Sequence, residues 1–132
     1  MPLHHVGLSV ADLASQKAWY GRAFGLESEF DFEFQGVRGS MMRSPEGYRV
    51  ELFEREGSVD GLKHAQPNDA LLTRGYGHFA LEVTDLEAVY ARLLEVGAGP
   101  VWDPRQSPEP GVRMAFVHDP EGHLIELIER VE

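Results

Sequence analysis

The chain has 132 residues, 42% hydrophobic and 26% charged, with a formal net charge of −10 and no cysteine. That length and apolar fraction support one core of ordinary size, and the absent cysteine excludes a disulfide framework and any thiolate metal site. The acidic field disfavours nucleic acid and anionic membrane surfaces as partners, and the basic residues form no run that would override it.

From the amino terminus, residues 4–10 alternate, with Val6, Leu8 and Val10 on one face and His5, Gly7 and Ser9 on the other, as in a half-buried strand. Asp12 stands where an N-cap belongs, and the helical spacing of 13–24 ends at Gly25. Strands are expected at 26–34, 37–43 and 48–54, the last two joined by a Ser-Pro-Glu-Gly turn at 44–47. Residues 57–74 are rich in Gly, Ser, Asp, Pro and Asn and read as a connector with room for a helical turn around 69–72.

A strand at 78–83 follows, then a helix capped by Asp85 with Leu86, Val89, Tyr90, Leu93 and Leu94 on one stripe and Gly97 at its end. Residues 100–111 read as a proline-rich loop, whose stretch from Trp102 to Gly111 is placed either to lid a cavity or to join strands. Strands at 112–118 and 123–128 flank Asp119-Pro120-Glu121-Gly122.

The chain repeats itself. Residues 35–55 and 110–130 match at 10 of 21 positions, and HHVGLSVADL from His4 echoes GHFALEVTDL from Gly77. The expected architecture is therefore α+β: two tandem βαβββ modules, residues 1–56 and 75–132, joined by 57–74 into a single domain whose cupped mixed sheet surrounds a metal-containing cavity. With no apolar stretch of about 20 residues and no secretory signal pattern, the expected location is the cytoplasm, away from any membrane.

Strand phase places the chemistry. His5 and His78 open matching strands and point away from the helix side, while Glu51 and Glu126 lie between the helix-facing pairs Val50/Leu52 and Ile125/Leu127. A carboxylate flanked by apolar residues on a central strand costs several kcal/mol unless paired or metal-bound. Two imidazoles and two carboxylates, each duplicated with the repeat, form a set suited to one divalent ion: zinc, nickel, cobalt, manganese or iron. His4 falls on the helix side by alternation and is the weaker candidate.

The paired modules, the two His-x-x-Leu-x-Val-x-Asp-Leu openings at His5 and His78, and the Asp-Pro-Glu-Gly-x-x-Ile-Glu-Leu close at Glu126 resemble the vicinal oxygen chelate superfamily over nearly the whole chain. That superfamily includes glyoxalase I, methylmalonyl-CoA epimerase, extradiol dioxygenases, fosfomycin-resistance transferases and metal-free bleomycin-binding proteins. The resemblance to glyoxalase I implies His5, Glu51, His78 and Glu126 as metal ligands. It implies a lyase or isomerase that removes a proton next to a carbonyl of a small 2-oxo compound or its thiol adduct, the metal stabilising the developing enediolate. Glu126 is the implied base, with Glu51 placed to do the same on the opposite face.

An octahedral ion with four protein ligands keeps two open positions, whereas extradiol cleavage of a catechol needs three, so Glu51 argues against the dioxygenase alternative. The same ligand set argues against the second alternative, a non-catalytic drug-binding resistance protein. Ser9 and Arg55 stand where small glyoxalase I proteins carry the Arg and Asn that hold glutathione, so the usual tripeptide grip is not expected. Arg55 and Arg38, with their repeat mates Arg130 and Arg113, are candidates to bind a carboxylate or to form surface ion pairs. Met41, Phe53 and Phe116 are candidate lining for an apolar ligand or plain core. A homodimer is expected, because a cupped sheet leaves free edges to cover.

Overall fold

The computed structural model describes residues 1–61 and 66–131. Residues 62–65 of the expected connector and residue 132 of the expected second module lie outside the described residues. The chain divides into two compact units, Met1–Asp60 and Gly61–Glu132.

The first unit runs β1 (Val6–Ser9), α1 (Leu13–Phe24), β2 (Glu27–Phe34), β3 (Val37–Arg43) and β4 (Arg49–Arg55), and its sheet has the order β1-β4-β3-β2. The second runs α2 (Pro67–Ala70), β5 (Phe79–Glu82), α3 (Leu86–Glu95), β6 (Gly99–Gln106), β7 (Val112–His118) and β8 (Leu124–Arg130), in the order β5-β8-β7-β6. In each sheet the first strand pairs parallel with the last and the remaining pairs are antiparallel. This is the expected α+β plan of two βαβββ modules, and it leaves β4 and β8 in the interior of their sheets.

Local chemistry explains the element ends. Asp12 Oδ1 accepts a hydrogen bond from Ser15 N at 3.0 Å to cap α1, and Gly25 closes the helix at φ 69°, a backbone region open to glycine at no steric cost. Asp85 caps α3 the same way through Ala88 N. Glu54 Oε2 accepts from Leu13 N at 2.7 Å, and its repeat mate Glu129 accepts from Asp85 N at 2.8 Å, so a β4 or β8 carboxylate holds the start of the helix in each unit. The bond from Leu13, with Arg38 beside it, holds the Glu54 carboxyl below its usual range.

Alternation along β4 and β8 decides which residues enter the core. Val50, Leu52, Ile125 and Leu127 are almost wholly buried, together with Trp19 and Tyr20 of α1 and Leu86 and Leu93 of α3. The residues alternating with these on the two strands, Glu51, Phe53, Glu126 and Ile128, are half-buried on the opposite face.

Residues 100–106 depart from the expected loop. They belong to β6, an edge strand paired only with β7, with register shifts between Pro100 and Trp102 and again between Trp102 and Arg105. Proline has no N–H for a ladder, and an edge strand with bulges tolerates both Pro100 and Pro104. Only 107–111 remain as the connection, so Trp102 is a strand residue and not part of a loop. The helical turn expected around 69–72 lies two residues earlier, at Pro67–Ala70, where proline takes the first helical position.

Candidate metal centre

β1 starts one residue after His5, and the parallel register Val6↔Val50 and Gly7↔Glu51 brings the His5 ring alongside the Glu51 side chain. His5 Nε2 lies 3.1 Å from Glu51 Oε1, with side-chain exposures of 33% and 16%. The second unit repeats this geometry: β5 starts one residue after His78, and His78 Nε2 lies 3.1 Å from Glu126 Oε1, with exposures of 31% and 18%. Each carboxylate foreseen as unable to stand alone thus has an imidazole partner within its own unit.

The pairs are the right size and type for a metal. Two cis ligands at about 2.1 Å from one ion are separated by about 3.0 Å, so each His–Glu pair could grip a divalent cation through one nitrogen and one oxygen with little side-chain movement. Among the described residues, no third His, Cys, Asp or Glu joins either pair at metal-binding range within its unit.

The rings are held from behind by different neighbours. His5 Nδ1 is 2.8 Å from Nδ1 of His4, so one of the two imidazoles donates to the other. His4 itself is exposed, not turned to the helix side. Gly77 takes the place of His4 in the second unit, where the His78 ring instead meets Phe116 edge-on, centroids 5.1 Å apart.

The other candidates are distributed as follows. Met41 and Phe116 are buried, each directly across from a site carboxylate in the registers Met41↔Glu51 and Phe116↔Glu126. Phe53 is half-buried on the Glu51 face, and Arg55 is exposed two residues further along it. Phe116 packs with Ala70 of α2, Met114, Leu124 and Trp102. Arg38 and Arg113 pair with Glu54 and Glu87, and Arg130 with Glu82.

Sequence reasoning expected the strand β2 but passed over its phenylalanines. Phe30, Phe32 and Phe34 alternate with acidic residues, and the registers Phe30↔Met41 and Phe32↔Gly39 place these rings on the Glu51 face. The period-2 Phe pattern in EFDFEF was the available signal.

The chain is thus an α+β protein of paired βαβββ units, each presenting a His–Glu pair on the face away from its helix. The sequence profile of the Glyoxalase/Bleomycin resistance protein/Dioxygenase superfamily matches residues 2–127, and the chain belongs to that family. It is 35% identical over 77 residues to a probable lactoylglutathione lyase of Synechocystis sp. (strain ATCC 27184 / PCC 6803 / Kazusa), a match spanning 58% of this chain and 59% of that relative.

Solved structures share the fold at lower identity. A glyoxylase/bleomycin resistance protein/dioxygenase domain from Frankia sp. EAN1pec superposes with a TM-score of 0.82 at 21% identity, covering 100% of this chain and 93% of that one. The fosfomycin resistance protein FosX from Listeria monocytogenes, complexed with Mn(II) and sulfate, does so with a TM-score of 0.67 at 20% identity, covering 97% and 91%. Among the described residues no helix is long and apolar enough to cross a membrane.

Proposed function

We propose that this protein is a divalent-metal-dependent lyase or isomerase of glyoxalase I type, with His5, Glu51, His78 and Glu126 as the metal ligands. The observation that carries the reading is the twofold appearance of one pair geometry, imidazole Nε2 to carboxylate Oε1 at 3.1 Å, once in each unit. The family and the lactoylglutathione lyase relative add to it. Imidazole and carboxylate donors accept zinc, nickel, cobalt, manganese or iron.

A bound ion would supply Lewis-acid polarisation of a substrate carbonyl. The chain's own residues do the rest. On a substrate with a hydroxyl on the carbon next to that carbonyl, such as a hemithioacetal, Glu126 or Glu51 takes the C–H proton from that carbon and returns it to the carbonyl carbon, while the hydroxyl proton passes to the former carbonyl oxygen, so the carbonyl moves by one carbon with no external oxidant. Leu124 and Ile128, on the Glu126 face, and Phe53, on the Glu51 face, keep water from competing for that proton. Met41, Phe53, Phe116 and Arg55 are the substrate-contacting candidates, on a small 2-oxo compound or its thiol adduct. The protein works as a cytoplasmic homodimer.

The test is elemental analysis of the purified protein beside a Glu51→Ala, Glu126→Ala double variant, followed by deuterium exchange at the α-carbon of 2-oxo compounds and hemithioacetals in D2O. One ion per chain in the parent, none in the variant, and metal-dependent exchange are expected. Oxygen uptake with catechols would instead assign an extradiol dioxygenase, and tight binding of an aromatic drug that survives chelation a resistance protein.

A further inference from the structure

The face of the first unit that carries Glu51 has a second feature that the metal pair does not use. Reading across the sheet, the registers give three rows: Glu51–Met41–Phe30, Phe53–Gly39–Phe32 and Arg55–Val37–Phe34. Phe32 stands 6.2 Å from Phe53 and 6.1 Å from Phe30, centroid to centroid. The Phe32 ring lies flat on the sheet, because a Cβ at Gly39 would meet its Cζ at 2.2 Å. Glycine at 39 therefore makes room for an aromatic floor beside the carboxylate. Phe30 and Phe34 are 52% and 64% exposed, which is costly for rings that could have been placed in the core.

Arg55 ends this floor. Its repeat mate Arg130 pairs with Glu82 at 3.0 Å and Glu109 at 3.7 Å. Ser9 occupies in the first unit the repeat position that Glu82 holds in the second. Among the described residues Arg55 has no ion-pair partner, although the chain carries a net charge of −10. An unmatched guanidinium at the end of an apolar face is complementary to an anion, and its planar fork suits a carboxylate. Four residues of strand put the Arg55 backbone about 13 Å from that of Glu51.

We infer that the substrate is an amphiphilic carboxylate: a head with two neighbouring oxygens at His5 and Glu51, an aromatic or aliphatic body on Phe53, Phe32 and Phe30, and a carboxylate at the far end held by Arg55. The inference rests on the proposed metal site for the head group, while the body and the carboxylate are read from the first unit alone.

The probes are 4-(carboxymethyl)benzohydroxamate and its methyl ester, which share a head and a ring and differ in the distal charge. Calorimetric titration of the purified, metal-supplemented protein should give about 10-fold tighter binding of the acid, as expected for a charge-assisted hydrogen bond. Arg55→Gln should remove that preference and leave the ester unchanged, and Phe32→Ser should weaken both probes alike. Equal affinity for acid and ester in the parent, no measurable binding of either, or a preference that survives Arg55→Gln overturns the proposal. So does a Phe30→Asp variant that changes oligomeric mass while the affinities of both probes stay constant, since the aromatic stripe would then serve self-association. Chelation separates the two readings. If EDTA leaves both affinities untouched while the acid preference persists, the metal site fails and the carboxylate site stands; if EDTA weakens both probes and the preference is absent, the reverse holds.

Discussion

Replacing Glu51 or Glu126 by Gln distinguishes a metal ligand from an ordinary ion-pair partner, because the two roles predict opposite patterns of stability. Each glutamate faces one imidazole at 3.1 Å with a third or less of either side chain exposed. Such a part-exposed pair contributes about 0–1 kcal/mol, and Gln keeps a hydrogen-bond acceptor of the same shape. Either substitution should therefore shift the denaturation midpoint of the EDTA-treated protein by no more than about 4 °C, taking an unfolding entropy of about 0.28 kcal/mol/K for a chain of this length.

Divalent metal at about 100 times its dissociation constant should stabilise the parent by about 2.7 kcal/mol, or about 10 °C on the same scale. The variants should lose most of that rise. Scanning calorimetry with and without each of the candidate ions is the assay. A variant whose metal-induced rise equals the parent's, or a metal-free variant destabilised by more than about 2 kcal/mol, would refute the reasoning, the first by removing the glutamate from the ligand set and the second by making it structural.

Leu127→Ala removes a fully buried side chain from the interior strand β8 and should cost about 2–5 kcal/mol in urea denaturation; a smaller loss would mean that the helix and sheet close over the gap. Asp31, hydrogen-bonded first by Lys17 and then by Ser40 and Ser28, has its carboxyl drawn down to about 2. A lowered acid stabilises the fold above the unfolded value of 3.8 and ceases to do so as pH falls through about 2, so Asp31→Asn should lower stability slightly near neutrality and converge with the parent at the acid end, a difference kept under about 1 kcal/mol by exposure to solvent. Gly39→Ala should force the Phe32 ring off the sheet with a stability change under about 1 kcal/mol, because a ring near an exposed edge can swing. Ring chemical shifts of Phe32 and Phe53 should move together; unchanged shifts would mean that the ring does not lie on Gly39.

The elements with strong periodicity and clear punctuation were legible from the sequence. Helix 13–24, bounded by Asp12 and Gly25, is α1 residue for residue, and the strand phase that set Glu51 apart from Val50 and Leu52 is the burial pattern of β4. β6 was not legible, because proline at 100 and 104 argues against a strand wherever both edges are paired, and nothing local reveals that this strand has one free edge. The repeat by itself could not separate scaffold from site either. It singled out Glu54/Glu129 and Arg38/Arg113 as strongly as Glu51/Glu126, yet the first pair anchors helix starts and the second makes ion pairs. One step of strand phase distinguishes them, since even positions on β4 face the helix and odd positions face the site.

Where the two copies have drifted apart is more informative than where they agree. The second unit covers its Glu126 face: Ala70 of α2 packs on Phe116, Met114 and Leu124, Trp102 meets Phe116 with ring centroids 5.4 Å apart, and Arg130 is neutralised by Glu82. The first unit leaves the corresponding face uncovered within its own fold, with Phe30 and Phe34 exposed and Ser9 at the repeat position that Glu82 holds in the second unit. Duplication supplies both halves with the same β-sheet and the same His–Glu pair, so selection for stability alone would bury both faces and pair both arginines. Among the described residues the second half meets that demand and the first does not. On the reading proposed above, an exposed aromatic floor and a guanidinium with no ion-pair partner among the described residues, both on one copy only, are the cost of recognising a ligand that itself has two unlike ends.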